Sequence, residues 1–349
     1  MQRVRQLRVK LTMRSTRPRV VTRPRPLDDL PAVAVDSRRI ADLAYPTAEL
    51  ANRGESLAPQ VLYRHHADES QQCGRPVTVI RAPSFSPGAL AAALKQLVHY
   101  RDLLYTLSLH RFRVRYRQSL LGVAWAVLQP LLLMLIYTVI FSRIARVPSE
   151  DTPYALFAYS ALLPWTYFAT ALSTATNSLV SHFNLVTKVY FPREILPLTY
   201  VFAALLDFMI ASTVLAGLMM YYHVPFTPLA LYAIPVVALL TLFAVAVSLV
   251  LCALQVRFRD VGVAMPLILQ LWIFATPVVY PMSVVPASWQ ALYVLNPMTG
   301  LIESFRRVIV QGQPPAFHAL AVSAIVSAVL LPIAFAYFKH VEATVADVI

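Results

Sequence analysis

The chain carries several long apolar runs, separated by short segments that hold its charges and many of its prolines. A helix needs about 20 apolar residues to cross the hydrocarbon core of a bilayer, and these runs reach that length. The strands of a membrane barrel would instead be alternating segments of about ten residues. Only 13% of the residues are charged and 58% are hydrophobic, whereas an ordinary soluble domain has about 25% charged residues. The sequence therefore predicts an all-α polytopic membrane protein.

Six transmembrane helices are predicted from the apolar runs. Their approximate limits are 119–141, 154–180, 195–222, 227–254, 261–280 and 317–338. Pro164 interrupts the second run, so its first part is interpreted as a re-entrant or interfacial piece. The segment 281–315 is too long for a tight turn and too polar to cross alone. Within it, 289–295 and 298–310 are predicted to form short helices that dip into the membrane or lie on it.

Residues 1–88 differ in composition from the rest of the chain. Their scattered prolines and many charges cannot bury enough apolar surface to offset chain entropy, which predicts a disordered, basic, Pro/Arg-rich cytosolic tail. Four interpretations remain open: a start upstream of the real one, an electrostatic arm on the membrane surface, a partner-binding tail, or a metal site at His65, His66 and Cys73. The last lacks recognised zinc spacing, so no metal site is predicted.

Residues 89–117 have a helical period and form an amphipathic pattern. Leu104, Leu109 and Phe112 fall on one face at 100° per residue, while charged residues fall roughly opposite. The segment ends in a cluster of four arginines, Arg111, Arg113, Arg115 and Arg117. A long apolar run follows directly, so this helix is predicted to lie in the cytosolic interface of the membrane. The alternative is a solvated helix packed on a soluble core.

The net charge of +13 is interpreted through its placement. An even number of spans puts both termini on one side, and basic residues are commoner in cytosolic loops. The side of the amphipathic helix carries Lys95, Arg101, Arg111, Arg113, Arg115, Arg117, Lys188, Arg193, Arg257, Arg259 and Lys339, and the other side only Arg143, Arg146, Arg306 and Arg307. Both termini are therefore predicted to be cytosolic, and no nucleic-acid partner is expected.

The motifs of common enzymes are missing from the sequence. It has no phosphate-binding Gly-x-x-x-x-Gly-Lys-Ser/Thr loop, no Gly-x-Ser-x-Gly nucleophile elbow and no plausible pair of catalytic carboxylates. The chain is therefore not expected to be an enzyme or to hold a cofactor. Asp207 stands out inside a predicted span, either as a structural hydrogen-bonding residue or as a proton or substrate relay. The scarcity of such groups favours a conduit driven from outside the membrane.

The segment 184–197 is a short charged stretch between two spans. Pro192 would end a helix, Tyr190 and Phe191 would offer an apolar plug for a groove on a partner, and the charges of Lys188, Arg193 and Glu194 would set its register. The alternative is a loop that only sets topology.

Four stretches, 113–130, 184–193, 269–281 and 295–306, carry a family resemblance. From about residue 99 to 349 the chain resembles the permease subunit of ABC-2 type exporters, specifically those that export lipid-linked polysaccharides: O-antigen, capsule and teichoic acid. The resemblance implies a permease of the bacterial inner membrane that moves such a glycan to its outer face. It also implies a second copy of the chain and two cytosolic ATPases that hold ATP and Mg and bind through 184–197.

The resemblance also implies roles for particular residues. The four arginines of the amphipathic helix would lie at the cytosolic substrate entrance, where an anionic lipid headgroup could land; their alternative role is to set topology. The short helices would form an outer gate, with Pro297, Glu303, Arg306 and Arg307. A set of aromatic residues is expected near one rim, as a glycan path or an ordinary aromatic belt: Trp125, Tyr137, Phe141, Trp165, Tyr167 and Phe168. Two other functions remain open: an ABC-2 exporter of drugs or small lipids, and a non-transporting scaffold for glycan assembly.

Overall fold

The structure is a computed structural model that describes residues 99–144, 152–182 and 191–348, without the side chains of 143 and 343–348. Every regular element in these ranges is a helix, which confirms the predicted all-α class. The predicted N-terminal tail lies outside the described residues, as do His65, His66, Cys73, Lys188 and Tyr190.

Nine helices carry labels in chain order. They are α1 (Arg101–Tyr116), α2 (Ala124–Tyr137), α3 (Tyr154–Thr176), α4 (Ile195–Tyr221), α5 (Ala233–Arg257), α6 (Asp260–Phe274), α7 (Ala287–Leu295), α8 (Pro297–Arg306) and α9 (Phe317–Val348). Shorter pieces accompany them: π-helical segments Thr138–Ile144 after α2 and Arg307–Gln311 after α8, a one-turn helix Ser178–Ser181, and 3₁₀ turns Pro228–Tyr232 and Met282–Val284. Helices α7 and α8 confirm the two short helices predicted before the last span.

Five helices of the described residues are long and apolar enough to cross a membrane: Ala124–Ser142, Tyr154–Thr176, Ile195–Tyr221, Pro228–Arg257 and Phe317–Glu342. The fifth predicted span is shorter than expected. It forms only the 15-residue helix α6, about 22 Å long at 1.5 Å per residue, and continues as irregular chain to Tyr280. A polytopic membrane fold is therefore established, while the count of six spans stays a prediction.

Helix α3 is the centre of the bundle. In its most apolar window 78% of residues are buried, against 11% for the span that begins with α2. It packs against α2, α4, α5, α6 and α8. The prediction that Pro164 separates a re-entrant piece is wrong, because α3 runs through this proline without a break. A proline removes one backbone hydrogen bond, and close packing on all sides of α3 offsets that loss.

The two ends of the bundle are built differently. At one end, the start of α4 and the last turns of α5 and α9 share an apolar cluster that includes Ile195, Leu196, Cys252 and Phe338. At the other end, α8 packs against the start of α9, where the contact is so close that a Cβ added at Gly300 would lie 2.3 Å from the carbonyl oxygen of Ala319. Only glycine fits there without displacing backbone.

Candidate functional site

A cavity of about 350 Å³ is lined by residues of α1 to α4. It is called the α1–α4 cavity below. Its polar and aromatic wall consists of Arg115, Tyr116, Ser119, Trp125, Gln129, Thr166, Tyr167, Thr170, Thr174, Asp207 and Phe208. A cavity with a few convergent polar groups in an apolar surround is the usual form of a ligand site. Nowhere in the described part of the chain do three His, Cys, Asp or Glu side chains gather as metal ligands would.

An ion pair lies in the wall of this cavity. Asp207 is on α4, about 18 Å from Ile195 at 1.5 Å per residue. Its Oδ2 accepts a hydrogen bond from Nη1 of Arg115, and its Oδ1 accepts one from the Tyr116 hydroxyl at 2.8 Å. The side chains of Arg115 and Asp207 are 26% and 15% exposed. Arg115 and Asp207 stabilise each other's charge, and either charge would be costly in an apolar helix bundle without its partner.

Tyr116 completes the pair as a hydrogen-bond donor. Burial raises the pKa of its phenol well above the ordinary value, and the hydrogen bond to the Asp207 carboxylate raises it further. The phenol therefore stays protonated at neutral pH and continues to donate to Asp207. The hydrogen-bonding role predicted for Asp207 thus has two donors, whereas a relay role stays a prediction.

The four arginines of α1 have three different surroundings. The Arg111 guanidinium lies over the Tyr200 ring, with its carbon 4.8 Å from the ring centroid. Arg115 pairs with Asp207. Arg113, on α1, and Arg117, the first residue after the helix, are both exposed. Since Arg111 and Arg115 are four residues apart, both face α4. A landing site for an anionic headgroup stays a prediction, and only Arg115 of the four lines the α1–α4 cavity.

The predicted aromatic residues do not gather at one rim. Trp125, at the start of α2, is 46% exposed and lines the α1–α4 cavity. Tyr137 and Phe141 lie beyond it, near the other end of that span, because each residue adds 1.5 Å. Trp165, Tyr167 and Phe168 are 0–4% exposed in the core. Trp125 and Tyr167 are therefore the pair of this set that could meet a ligand in the cavity, and a glycan path stays a prediction.

The segment predicted to bind an ATPase is tied to the last helix. Phe191 is 8% exposed and packs in the same cluster as Ile195 and Phe338. The ring is therefore buried within the chain rather than exposed as an apolar plug, because burial is more favourable for an aromatic ring than contact with water. Pro192 is also buried. The polar residues that follow, Arg193 and Glu194, form hydrogen bonds with residues of α9. The role of this segment in ATPase coupling stays a prediction.

The α9 residues in these contacts, Lys339 and Glu342, were not predicted from the sequence as partners of this segment. Lys339 Nζ donates to Glu194 Oε2 at 2.7 Å and lies 2.8 Å from Glu342 Oε2. Arg193 Nη1 donates to the backbone oxygen of Glu342 at 2.8 Å. Glu194 is only 1% exposed. These contacts fix the start of α4 to the end of α9, and no local pattern could reveal a pairing across 145 residues of sequence.

The short helices at the opposite end are anchored by Arg306. This side chain is 1% exposed, and its Nη2 donates to the backbone oxygens of Pro277 and Val278 at 3.1 and 3.2 Å. Nη1 donates to Glu303 at 3.2 Å, and the guanidinium carbon lies 3.8 Å from the centroid of the Phe157 ring. Arg306 thus satisfies carbonyls that the irregular chain after α6 leaves without helix partners.

The other predicted gate residues have separate positions. Pro297 is the first residue of α8, whose N-cap Asn296 accepts a hydrogen bond from the Met298 backbone N–H at 3.2 Å. Arg307 donates to the Gln313 side chain at 3.3 Å. A gating role for Pro297, Glu303, Arg306 and Arg307 stays a prediction.

Comparison with known proteins identifies the class of this helical bundle. The profile of the ABC-2 type transporter family matches residues 102–310, which include the α1–α4 cavity and the short helices α7 and α8. The chain therefore belongs to the ABC-2 type transporter family, and the family resemblance found in the sequence is confirmed.

Several curated proteins are similar over most of their length. The chain is 33% identical over 249 residues to the O-antigen export system permease protein RfbA of Myxococcus xanthus, a match that covers 70% of this chain and 95% of that protein. A permease of the same name from Klebsiella pneumoniae is 28% identical, over 60% and 81% of the two chains. The polysialic acid transport protein KpsM of Escherichia coli is 23% identical, over 68% and 92%.

Proposed function

We propose that this chain is the membrane-spanning permease subunit of an ATP-driven exporter for a lipid-linked polysaccharide of the O-antigen, capsule or teichoic-acid type. The observation that carries the proposal is the similarity to an O-antigen export permease over 95% of that protein's length. The polysialic acid transport protein among the relatives also handles a polysaccharide. The substrate would pass from the cytosolic to the outer face of the inner membrane.

The energy for this transport would come from a partner. The sequence has no phosphate-binding loop for ATP, and ABC-2 permeases belong to a class that works with ATPase subunits. ATP and Mg would therefore be held by two cytosolic ATPase subunits. Because Phe191 and Glu194 are buried within the chain, the contact would fall to the neighbouring residues of the same segment, Lys188 and Tyr190.

The assembly would contain two copies of this chain. The helix α2 leaves large apolar side chains exposed, among them Leu132, Leu135 and Ile136 at 46–57%. Helix α6 likewise has exposed apolar side chains, Leu267 and Leu271. In a membrane such surfaces meet lipid or another helix. Both termini would be cytosolic, in agreement with the larger number of basic residues on that side.

Deletion of the gene tests the substrate class. We expect loss of surface polysaccharide, restored by a plasmid copy, with unchanged drug sensitivity. Drug hypersensitivity with normal surface polysaccharide would support a drug or small-lipid exporter instead. A scaffold would show neither translocation nor substrate-stimulated ATP hydrolysis when reconstituted with its ATPase.

Co-purification tests the ATPase contact. Lys188→Glu and Tyr190→Asp should each lower recovery of the ATPase with the permease, while membrane insertion is unchanged. Arg101→Glu, the same charge reversal on α1, serves as the control. Wild-type recovery of the ATPase with both variants would rule out these two residues as its docking contacts.

A further inference from the structure

The Arg115–Asp207 pair is placed where a third charged group could enter. Both side chains line the α1–α4 cavity, and they remain partly exposed, at 26% and 15%. The rest of the polar wall is neutral, being made of hydroxyl, amide and aromatic groups. Arg115 therefore brings the positive charge to the cavity, and Asp207 already neutralises it.

An anion in this cavity would compete with Asp207 for the Arg115 guanidinium. A negative charge placed beside an intact Arg115–Asp207 pair gains little, because like charges repel and the guanidinium is already engaged. The guanidinium fork fits a phosphate as well as a carboxylate. If the phosphate took its place on Arg115, the Asp207 carboxylate would keep the hydrogen bond from the Tyr116 hydroxyl. This hydrogen bond is 2.8 Å long in the structure.

We propose that the α1–α4 cavity binds the phosphate of an anionic lipid, and that binding is an exchange in which this phosphate replaces Asp207 on the Arg115 guanidinium. The inference rests on the proposed function, which supplies a lipid-linked substrate. Asp207 acts as a built-in competitor that limits affinity, and a transport site must release what it binds. Trp125 and Tyr167, in the same wall, offer aromatic surface to whatever group the phosphate carries.

The exchange predicts a gain of affinity when the competitor is removed. The full-length protein is placed in nanodiscs of zwitterionic lipid and titrated with a long-chain polyprenyl phosphate. We expect Asp207→Asn to bind this probe about tenfold more tightly, and Arg115→Gln about tenfold more weakly, a factor of ten being a typical change for one charged contact. The double variant should match Arg115→Gln, because Asp207 acts only through Arg115.

Three controls isolate the exchange. Asp260→Asn removes the same charge at an exposed position at the start of α6 and should leave binding unchanged. Polyprenol of the same chain length tests for binding through the tail alone, and inorganic phosphate tests for a free-ion site. Equal binding of either control probe by the wild type would overturn the assignment to a lipid phosphate.

A second variant keeps the test valid if Asp207→Asn does not fold. Tyr116→Phe removes one donor from Asp207, so the carboxylate should hold Arg115 more strongly and binding should weaken two- to threefold. Unchanged or weaker binding by a folded Asp207→Asn, or tighter binding by Tyr116→Phe, would overturn the exchange. The deletion phenotype is independent of both: normal surface polysaccharide without the gene would refute the glycan substrate while leaving the phosphate site intact.

Discussion

Arg306 and Arg115 are arginines of one membrane bundle with different kinds of partner. Arg306 is 1% exposed, is held by two backbone oxygens and one carboxylate, and lies over an aromatic ring. Arg115 is 26% exposed and pairs with Asp207 at the wall of a cavity. The partners of Arg306 include backbone oxygens of Pro277 and Val278, whereas the partner of Arg115 is a side chain that has a second donor, Tyr116.

The difference teaches that burial and partner type together decide what a membrane-embedded charge does. Backbone oxygens fixed by tertiary structure cannot move away from Arg306, so its contacts are structural. A carboxylate beside a cavity can be replaced by another anion without loss of fold. Replacing each arginine by glutamine should therefore distinguish the two kinds of contact. The free energy of unfolding should fall more where the contact is structural, at Arg306, than where the partner can be exchanged, at Arg115.

The largest expected effect is that of Arg306→Gln. The variant removes the guanidinium that donates to the oxygens of Pro277 and Val278 in a buried site, and we expect a loss of about 3 kcal/mol in the free energy of unfolding. Arg307→Gln, the neighbouring change, removes a contact with the Gln313 side chain and should stay within about 0.5 kcal/mol. Thermal unfolding in detergent measures both. Equal losses in the two variants would show that Arg306 is not a special anchor.

A second prediction tests whether packing fixes the same region. Gly300→Ala places a Cβ 2.3 Å from the backbone oxygen of Ala319, so α8 and α9 must separate. We expect a loss of about 2 kcal/mol, as for other overpacked contacts. Gly217→Ala is the matched control, because nothing lies within 4 Å of its added Cβ, and it should be neutral or stabilising. A neutral Gly300→Ala would mean that α8 is loosely held, contrary to the comparison.

A third prediction concerns a pair that is intermediate in burial. Glu194 and Lys339 are 1% and 18% exposed in their side chains and 2.7 Å apart. A double-mutant cycle with Glu194→Gln and Lys339→Gln should give a coupling free energy of about 1–2 kcal/mol. The exposed pair Arg101 and Asp102, 3.8 Å apart, should show no measurable coupling in the same cycle. Coupling as weak as that of the exposed pair would mean that Glu194 does not depend on Lys339.

The part of this structure that could be predicted from sequence follows from local patterns. Apolar runs located the long helices, and the prolines and glycines after Tyr280 located α7 and α8. Long-range partners could not be predicted, because nothing in the residues around Glu194 points to Lys339. The same holds for Asp207: its unusual place in a span was visible, but its pairing with Arg115 depends on how α1 runs along α4. The prediction at Pro164 was wrong because tertiary packing around α3 outweighs the tendency of a proline to interrupt a helix.

Apart from the control variants, the smallest expected effect on stability is that of Arg115→Gln, the same substitution as at Arg306. Its partner Asp207 keeps the Tyr116 hydrogen bond and lines a cavity that water can enter. Because the pair is only partly buried and Asp207 keeps one donor, we expect a loss of about 1 kcal/mol in the free energy of unfolding, below that of breaking a fully buried ion pair. Thermal unfolding in detergent, run beside Arg306→Gln, checks the difference. A loss as large as that at Arg306 would mean that the fold depends on the Arg115–Asp207 pair, and a pair on which the fold depends cannot exchange its partner for a phosphate.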